Sequence, residues 1–118
     1  MTRKNKKPVT FTVPSRPVPK GRPRMTRYGR VFTPKRTLEA EAAVAAAYPK
    51  RRGKFAGAIA VVMRFTNTGT EVTISQCDDT ASKLKGDIDN YVKTILDGLN
   101  GVAWDDDKQV LHIEADKA

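Results

Sequence analysis

Five aliphatic side chains at helical spacing, Ile88, Val92, Ile95, Leu96 and Leu99, constrain this chain more than any other pattern in it. They predict an amphipathic helix over residues 87–101, because positions three and four apart share one face. Asn100-Gly101 is a helix stop. Asp87 and Asp89 stand two residues apart at the mouth of this helix, and Lys93 lies one turn inside it. On a helix Lys93 lines up with Asp89 before it and Asp97 after it. Three further acids, Asp105, Asp106 and Asp107, follow the helix.

The other elements are read the same way. Val9-Thr10-Phe11-Thr12-Val13 alternates apolar and polar, which is strand periodicity. Residues 14–24 carry prolines and a glycine and are expected to be extended or turned. Residues 24–27 and 30–33 flank Tyr28-Gly29 and predict a small hairpin. Thr33-Pro34 predicts a helix start, with Thr as cap and Pro at the first helical position. Residues 38–48 continue that helix, with Glu39 and Glu41 in its first turns and an apolar stripe of Leu38, Ala42, Ala45 and Tyr48. Residues 55–65 predict the longest strand, with a bulge at Gly57. Residues 66–84 are polar and predict an irregular loop. Residues 109–115 predict a last strand, with Leu111 and Ile113 on one face and His112 at an ordinary strand position.

Charge divides the chain. Its net charge is +9, yet residues 1–38 hold twelve Lys or Arg and no acid, while residues 39–118 hold ten basic and thirteen acidic residues. A basic arm on a mildly acidic body points to nucleic acid or an anionic surface. The prolines and glycines of the arm exclude a membrane-surface helix, so nucleic acid is the expected partner. Lys20, Arg22, Arg24, Arg27, Arg30, Lys35 and Arg36 are spaced to meet successive phosphates. Tyr28 and Phe32 suit stacking on exposed bases. The plainer reading is a solvated surface with two aromatics pinning the hairpin.

Residues 1–8 are expected to be a disordered basic N-terminus, and residues 9–118 a single domain. No apolar run is long enough to span a bilayer, and no apolar run follows the basic N-terminus as it would in a secretory signal. Cys77 is the single cysteine, and with no second cysteine and no nearby histidine it forms no zinc site. A cytoplasmic location is the expectation.

The acids can be drawn together. Residues 89–99 as a helix rise on the order of 15 Å. Residues 101–107, if extended, travel roughly 20 Å and can return along the helix to bring Asp105, Asp106 and Asp107 near Asp87 and Asp89. Converging carboxylates repel unless a proton or a cation intervenes. Mg²⁺, or Mn²⁺, is the hard cation that such oxygens suit. Spacing alone leaves a second reading open: an N-cap, a surface stripe in which Lys93 bridges its acidic neighbours, and a solvated turn.

Val18-Pro19-Lys20-Gly21-Arg22-Pro23-Arg24, Val31-Phe32-Thr33-Pro34, Asp87-Ile88-Asp89-Asn90 with Lys93, Asp97-Gly98-Leu99-Asn100-Gly101 and Asp106-Asp107-Lys108-Gln109-Val110 resemble the RusA family of Holliday junction resolvases, often carried by prophages. The resemblance runs from about Val9 to Ala115 and keeps its order. It implies an α+β fold: a small mixed β-sheet with two main helices packed on one side. It implies a Mg²⁺-dependent, structure-selective endodeoxyribonuclease of recombination and repair that binds a four-way DNA junction as a homodimer and makes symmetric paired nicks. The family's acidic positions fall on Asp87, Asp89 and Asp107, with Asp106 as the reserve ligand, and its lysine on Lys93. Two other functions compete. One is a non-catalytic nucleic-acid-binding module, and the other is a Mg²⁺ nuclease acting on flap or fork DNA.

Overall fold

Alternation in three short segments builds the sheet of this protein. The computed structural model describes residues 7–21, 24–77 and 82–117. Arg22, residues 1–6 of the N-terminus, and Asp78 and Asp79 lie outside the described residues. The chain falls into two units, residues 1–79 and 80–118.

In the first unit, β1 (Val9–Val13), β5 (Thr70–Gln76) and β4 (Ile59–Phe65) form a three-stranded sheet in that order. Both pairs are antiparallel, so the class is α+β as expected while the sheet is antiparallel and not mixed. The register sets Val9, Ile74 and Val61 abreast, then Phe11, Val72 and Met63, then Val13, Thr70 and Phe65. One face is therefore apolar. The other carries Thr10, Thr12, Glu71, Thr73 and Arg64, with the Thr10 and Thr73 hydroxyls 3.0 Å apart. The core sits under β1 and β5, where Val9 and Val13 are 2% and 5% exposed. Burying a valine side chain contributes about 1.5–3 kcal/mol.

Within the stretch 66–84, where polarity predicts an irregular loop, residues Thr70–Gln76 form β5, the central strand. Only Val72 and Ile74 of its seven residues are aliphatic. Its threonines are β-branched and supply strand preference without hydropathy. The β4–β5 turn closes on itself: the Thr66 N–H donates to the Gly69 carbonyl at 2.9 Å, and the Gly69 N–H to the Thr66 hydroxyl at 3.2 Å. A Cβ on Gly69 would lie 2.6 Å from the Val13 carbonyl oxygen, so only glycine lets β1 end beside this turn.

The hairpin forms as expected, from β2 (Arg24–Met25) and β3 (Val31–Phe32). The first helix, α1 (Lys35–Ala47), starts one residue later than the sequence suggests. Pro34 is the cap residue, Thr33 makes no capping bond, and no acid lies in the first turn. Its inward side is carried by Thr37, Ala40, Ala43 and Ala47, whereas Leu38, Ala42 and Ala45 are exposed. Small side chains let the helix approach β1 closely, and the bulky Leu38 is turned outward. Tyr48 closes the end of α1 by meeting Phe11 edge to face at 5.5 Å.

In the second unit, α2 (Ile88–Leu99) realises the amphipathic pattern, with Asp87 as cap residue. The chain beyond it is tied to the C-terminal end of the helix. The Asn100 N–H donates to the Leu96 carbonyl, those of Val102 and Ala103 to the Leu99 carbonyl, and that of Gly101 to the Trp104 carbonyl at 2.6 Å. A 3₁₀ turn, Asp107–Gln109, follows. Residues 110–117 join no strand among the described residues, against the expected final strand. They run back along α2 instead: Ile113 to Lys117 line a groove with Leu84, Ile88, Tyr91, Val92, Ile95 and Leu96. Lys117 Nζ donates to the Gly86 carbonyl at 2.8 Å. Alternating sequence makes a strand only when a strand edge is there to pair with, and here the neighbour is a helix.

Candidate active site and nucleic-acid interface

Asp87 occupies the cap position of α2 with extended backbone, yet its carboxylate makes no capping hydrogen bond. Only its carbonyl is used, accepting the Asn90 N–H at 3.1 Å. Asp89 lies in the first helical turn, and Asp87, Asp89 and Lys93 are all exposed. None of the ion pairs among the described residues involves Lys93, Asp89 or Asp97. The N-terminal end of α2 thus presents two carboxylates that no side chain among the described residues engages. A helix N-terminus, with its unpaired N–H groups, favours such negative charge.

The acidic turn is built differently at each position. Asp106 caps the 3₁₀ turn, its Oδ1 accepting the Lys108 N–H at 2.8 Å. Gln109 completes a reciprocal capping box, with its Oε1 accepting the N–H groups of Asp105 at 2.8 Å and Asp106 at 3.1 Å. Asp107 is half-buried, and its Oδ1 accepts the Trp104 indole Nε1–H at 2.8 Å. Of the three acids, then, Asp106 serves the backbone, Asp105 is exposed, and Asp107 is oriented by a fixed donor. Neither Trp104 nor Gln109 is among the candidate site residues read from the sequence, although Gln109 lies in the motif of the family resemblance. The signal was there: a lone tryptophan three residues before an acid, and an acid followed three residues later by glutamine.

The expected return path is shifted. Residues 101–104 are consumed in the turn at the C-terminal end of α2, so Asp107 begins the return along the helix. It is Lys117 that reaches the start of α2. Among the described residues, no group of three or more His, Cys, Asp or Glu side chains is gathered closely enough to hold a metal ion. In kind the donors suit a hard divalent cation, since Asp87, Asp89 and Asp107 offer carboxylate oxygen only.

The basic arm belongs to the first unit. Its loop is fixed to α1 where the Gly21 N–H donates to the buried Thr37 hydroxyl at 2.9 Å. A Cβ on Gly21 would lie 3.0 Å from Thr37 Oγ1 and 3.1 Å from Pro34 Cγ, so glycine permits this approach. Lys20 and Lys35 make exposed ion pairs on the same helix, with Glu41 at 3.5 Å and Glu39 at 3.8 Å. Such surface pairs are weak and exchange readily for phosphate. Arg24 lies in β2; Arg27, Arg30 and Arg36 are exposed. The hairpin turn closes with the Thr26 N–H on the Arg30 carbonyl at 2.8 Å, and it holds Tyr28 at its tip, 88% exposed. An aromatic side chain so placed is not pinning the hairpin to a core and is free to stack.

No helix among the described residues is long and apolar enough to cross a membrane. No curated protein and no solved structure matches the chain significantly. A protein-family model described as Endodeoxyribonuclease RusA matches residues 14–118, a span that takes in the basic arm, α2 and the acidic turn.

Proposed function

We propose that this chain, which belongs to the RusA family of endodeoxyribonucleases, is a Mg²⁺-dependent Holliday junction resolvase that acts as a homodimer and makes paired symmetric nicks. The observation that carries this reading is the family match over residues 14–118, which spans the cationic and the anionic halves of the chain together.

Asp87 and Asp89 would hold the cation, joined by an acid of the turn, Asp107 with Asp106 in reserve. A single chain leaves that acid at the other end of α2, and the dimer has to bring it to them. Mn²⁺ would suit the same oxygens. When bound, such a cation neutralises charge at the phosphate and supplies a water of lowered pKa. The chain's own residues do the rest. Lys20, Arg22, Arg24, Arg27, Arg30, Lys35 and Arg36 grip the phosphate backbone and set its register. Tyr28, at the hairpin tip, stacks on a base left open at the branch. The Asp89 carboxylate accepts a hydrogen bond from the attacking water and aims it at phosphorus. The Lys93 ammonium stabilises the negative charge that develops on the phosphate oxygens. Trp104 holds Asp107 in one orientation, as a partner behind a ligand does. A four-way junction has two-fold character, which a two-fold dimer matches.

The test is one substrate panel, with and without Mg²⁺, at a stated salt concentration. A four-way junction is compared with linear duplex, flap and fork DNA. Paired nicks on the junction are expected, lost in Asp87→Asn, Asp89→Asn and Asp107→Asn while junction binding persists. Preferred cutting of flaps or forks would move the assignment to that substrate class. Cleavage surviving in all three variants would remove the metal-site assignment.

A further inference from the structure

We propose that Lys117 and Tyr91 are positioning residues for Asp87. By holding the two peptide planes on either side of Gly86, they fix the direction in which Asp87 enters α2. This rests on the reading of Asp87 as a metal ligand and names what aims it.

Asp87 has no anchor of its own. Its carboxylate is exposed and makes no capping hydrogen bond, so its direction is inherited from its backbone. The residue before it is the one least able to supply that direction. Gly86 has φ +92, in the left-handed region that glycine enters freely. With no side chain to restrict its φ and ψ, a loop that turns on it swings unless something else holds it.

Two donors hold it, and they come from different segments. The Tyr91 hydroxyl, on the first turns of α2, donates to the Lys85 carbonyl. The Lys117 ammonium, on the segment that runs back along the helix, donates to the Gly86 carbonyl at 2.8 Å. The Lys85 carbonyl belongs to the peptide plane before Gly86, and the Gly86 carbonyl to the plane after it. Each plane is rigid, and the φ and ψ of Gly86 are the rotations between them. Holding one plane leaves the other free to turn. Holding both fixes Gly86, and with it the peptide unit that leads into Asp87, whose own carbonyl accepts the Asn90 N–H at 3.1 Å.

Lys117 is a placed side chain. Residues 111–116 are all exposed, whereas Lys117 is half-buried. A held lysine gives up much rotamer freedom, which a charge-assisted hydrogen bond offsets. Its ammonium is in none of the ion pairs among the described residues. The dipole at a helix N-terminus favours anions, so the carbonyl contact, and not the field of the helix, keeps this cation there. Both carboxylates at the mouth of α2 stay open to a metal ion.

The probe is Mn²⁺ alone on the full chain, titrated through the electron paramagnetic resonance of the free ion. Backbone order parameters of the metal-free chain, from NMR relaxation, are the second readout. Lys117→Met and Tyr91→Phe are each expected to lower the order parameters at Gly86 and Asp87 and to weaken Mn²⁺ binding about tenfold. Lys117→Arg keeps a charged donor and is expected to restore most of that affinity. Tyr91→Phe keeps its ring and leaves residues 113–117 unchanged, so the same loss in both variants marks action through Gly86 and not a loosened segment. If both variants bind Mn²⁺ like the parent while Asp87→Asn abolishes binding, the proposal is overturned and the metal reading stands. Losses that only follow a fall in melting temperature, with no rescue by Lys117→Arg, overturn it as well. If Asp87→Asn itself binds Mn²⁺ like the parent, the metal reading falls and this proposal with it.

Discussion

The Thr37 hydroxyl, buried in the first turn of α1, accepts the Gly21 N–H at 2.9 Å and ties the basic loop to the helix. Thr37→Val keeps the shape and removes the acceptor, stranding an N–H in a partly buried place. A loss of about 1–2 kcal/mol is expected, read as a lowered melting temperature. Junction affinity, read by fluorescence anisotropy, is expected to fall with it, because Lys20 adjoins the bond that is lost. Gly21→Ala forces a Cβ against Thr37 and Pro34 and is expected to destabilise by about 1–3 kcal/mol.

Trp104→Phe retains an aromatic ring and deletes the indole donor to Asp107. If Trp104 positions Asp107, kcat drops about 10-fold or more while junction affinity and KM are unchanged. Equal loss of folding stability and of activity would mark a merely structural role.

The acidic turn predicts a contrast between neighbours. Asp106 serves as a cap, and asparagine caps nearly as well, so Asp106→Asn is expected to fold and cleave close to normally. Asp106→Ala is expected to lose about 1 kcal/mol of stability. Asp107→Asn still accepts from Trp104 through its amide oxygen, yet is expected to abolish cleavage. Parallel melting curves and single-turnover cleavage rates decide between cap and ligand.

Salt separates the two roles within the hairpin. Replacing Arg27 or Arg30 with alanine is expected to reduce the slope of log K against log salt by about 0.7–0.9 for each phosphate that the arginine neutralises. Tyr28→Ala is expected to weaken junction binding by about 1–3 kcal/mol with the slope unchanged, since stacking displaces no counterions. Titrations at four or five salt concentrations read both quantities.

Local patterns settled what they govern locally. The alternation of residues 9–13, the turn at Gly29, the amphipathic period of α2 and the split of charge between arm and body were all legible as written. So were the chemical kinds of the candidate residues, because carboxylates paired at a helix mouth look the same in sequence and in space. Tertiary structure decided everything that depends on a neighbour. Thr70 to Gln76 became the central strand because β1 and β4 flank it on both sides, a circumstance that no hydropathy count contains. Residues 110–117 lacked a strand partner and lay along α2. The inward face of α1 fell on alanines and Thr37 because β1 required close approach. The difference between Asp106 and Asp107, adjacent and chemically identical, arose from which one met a backbone N–H and which one met an indole. Residue type and period are properties of the chain itself, whereas partners exist only after distant segments have been brought together.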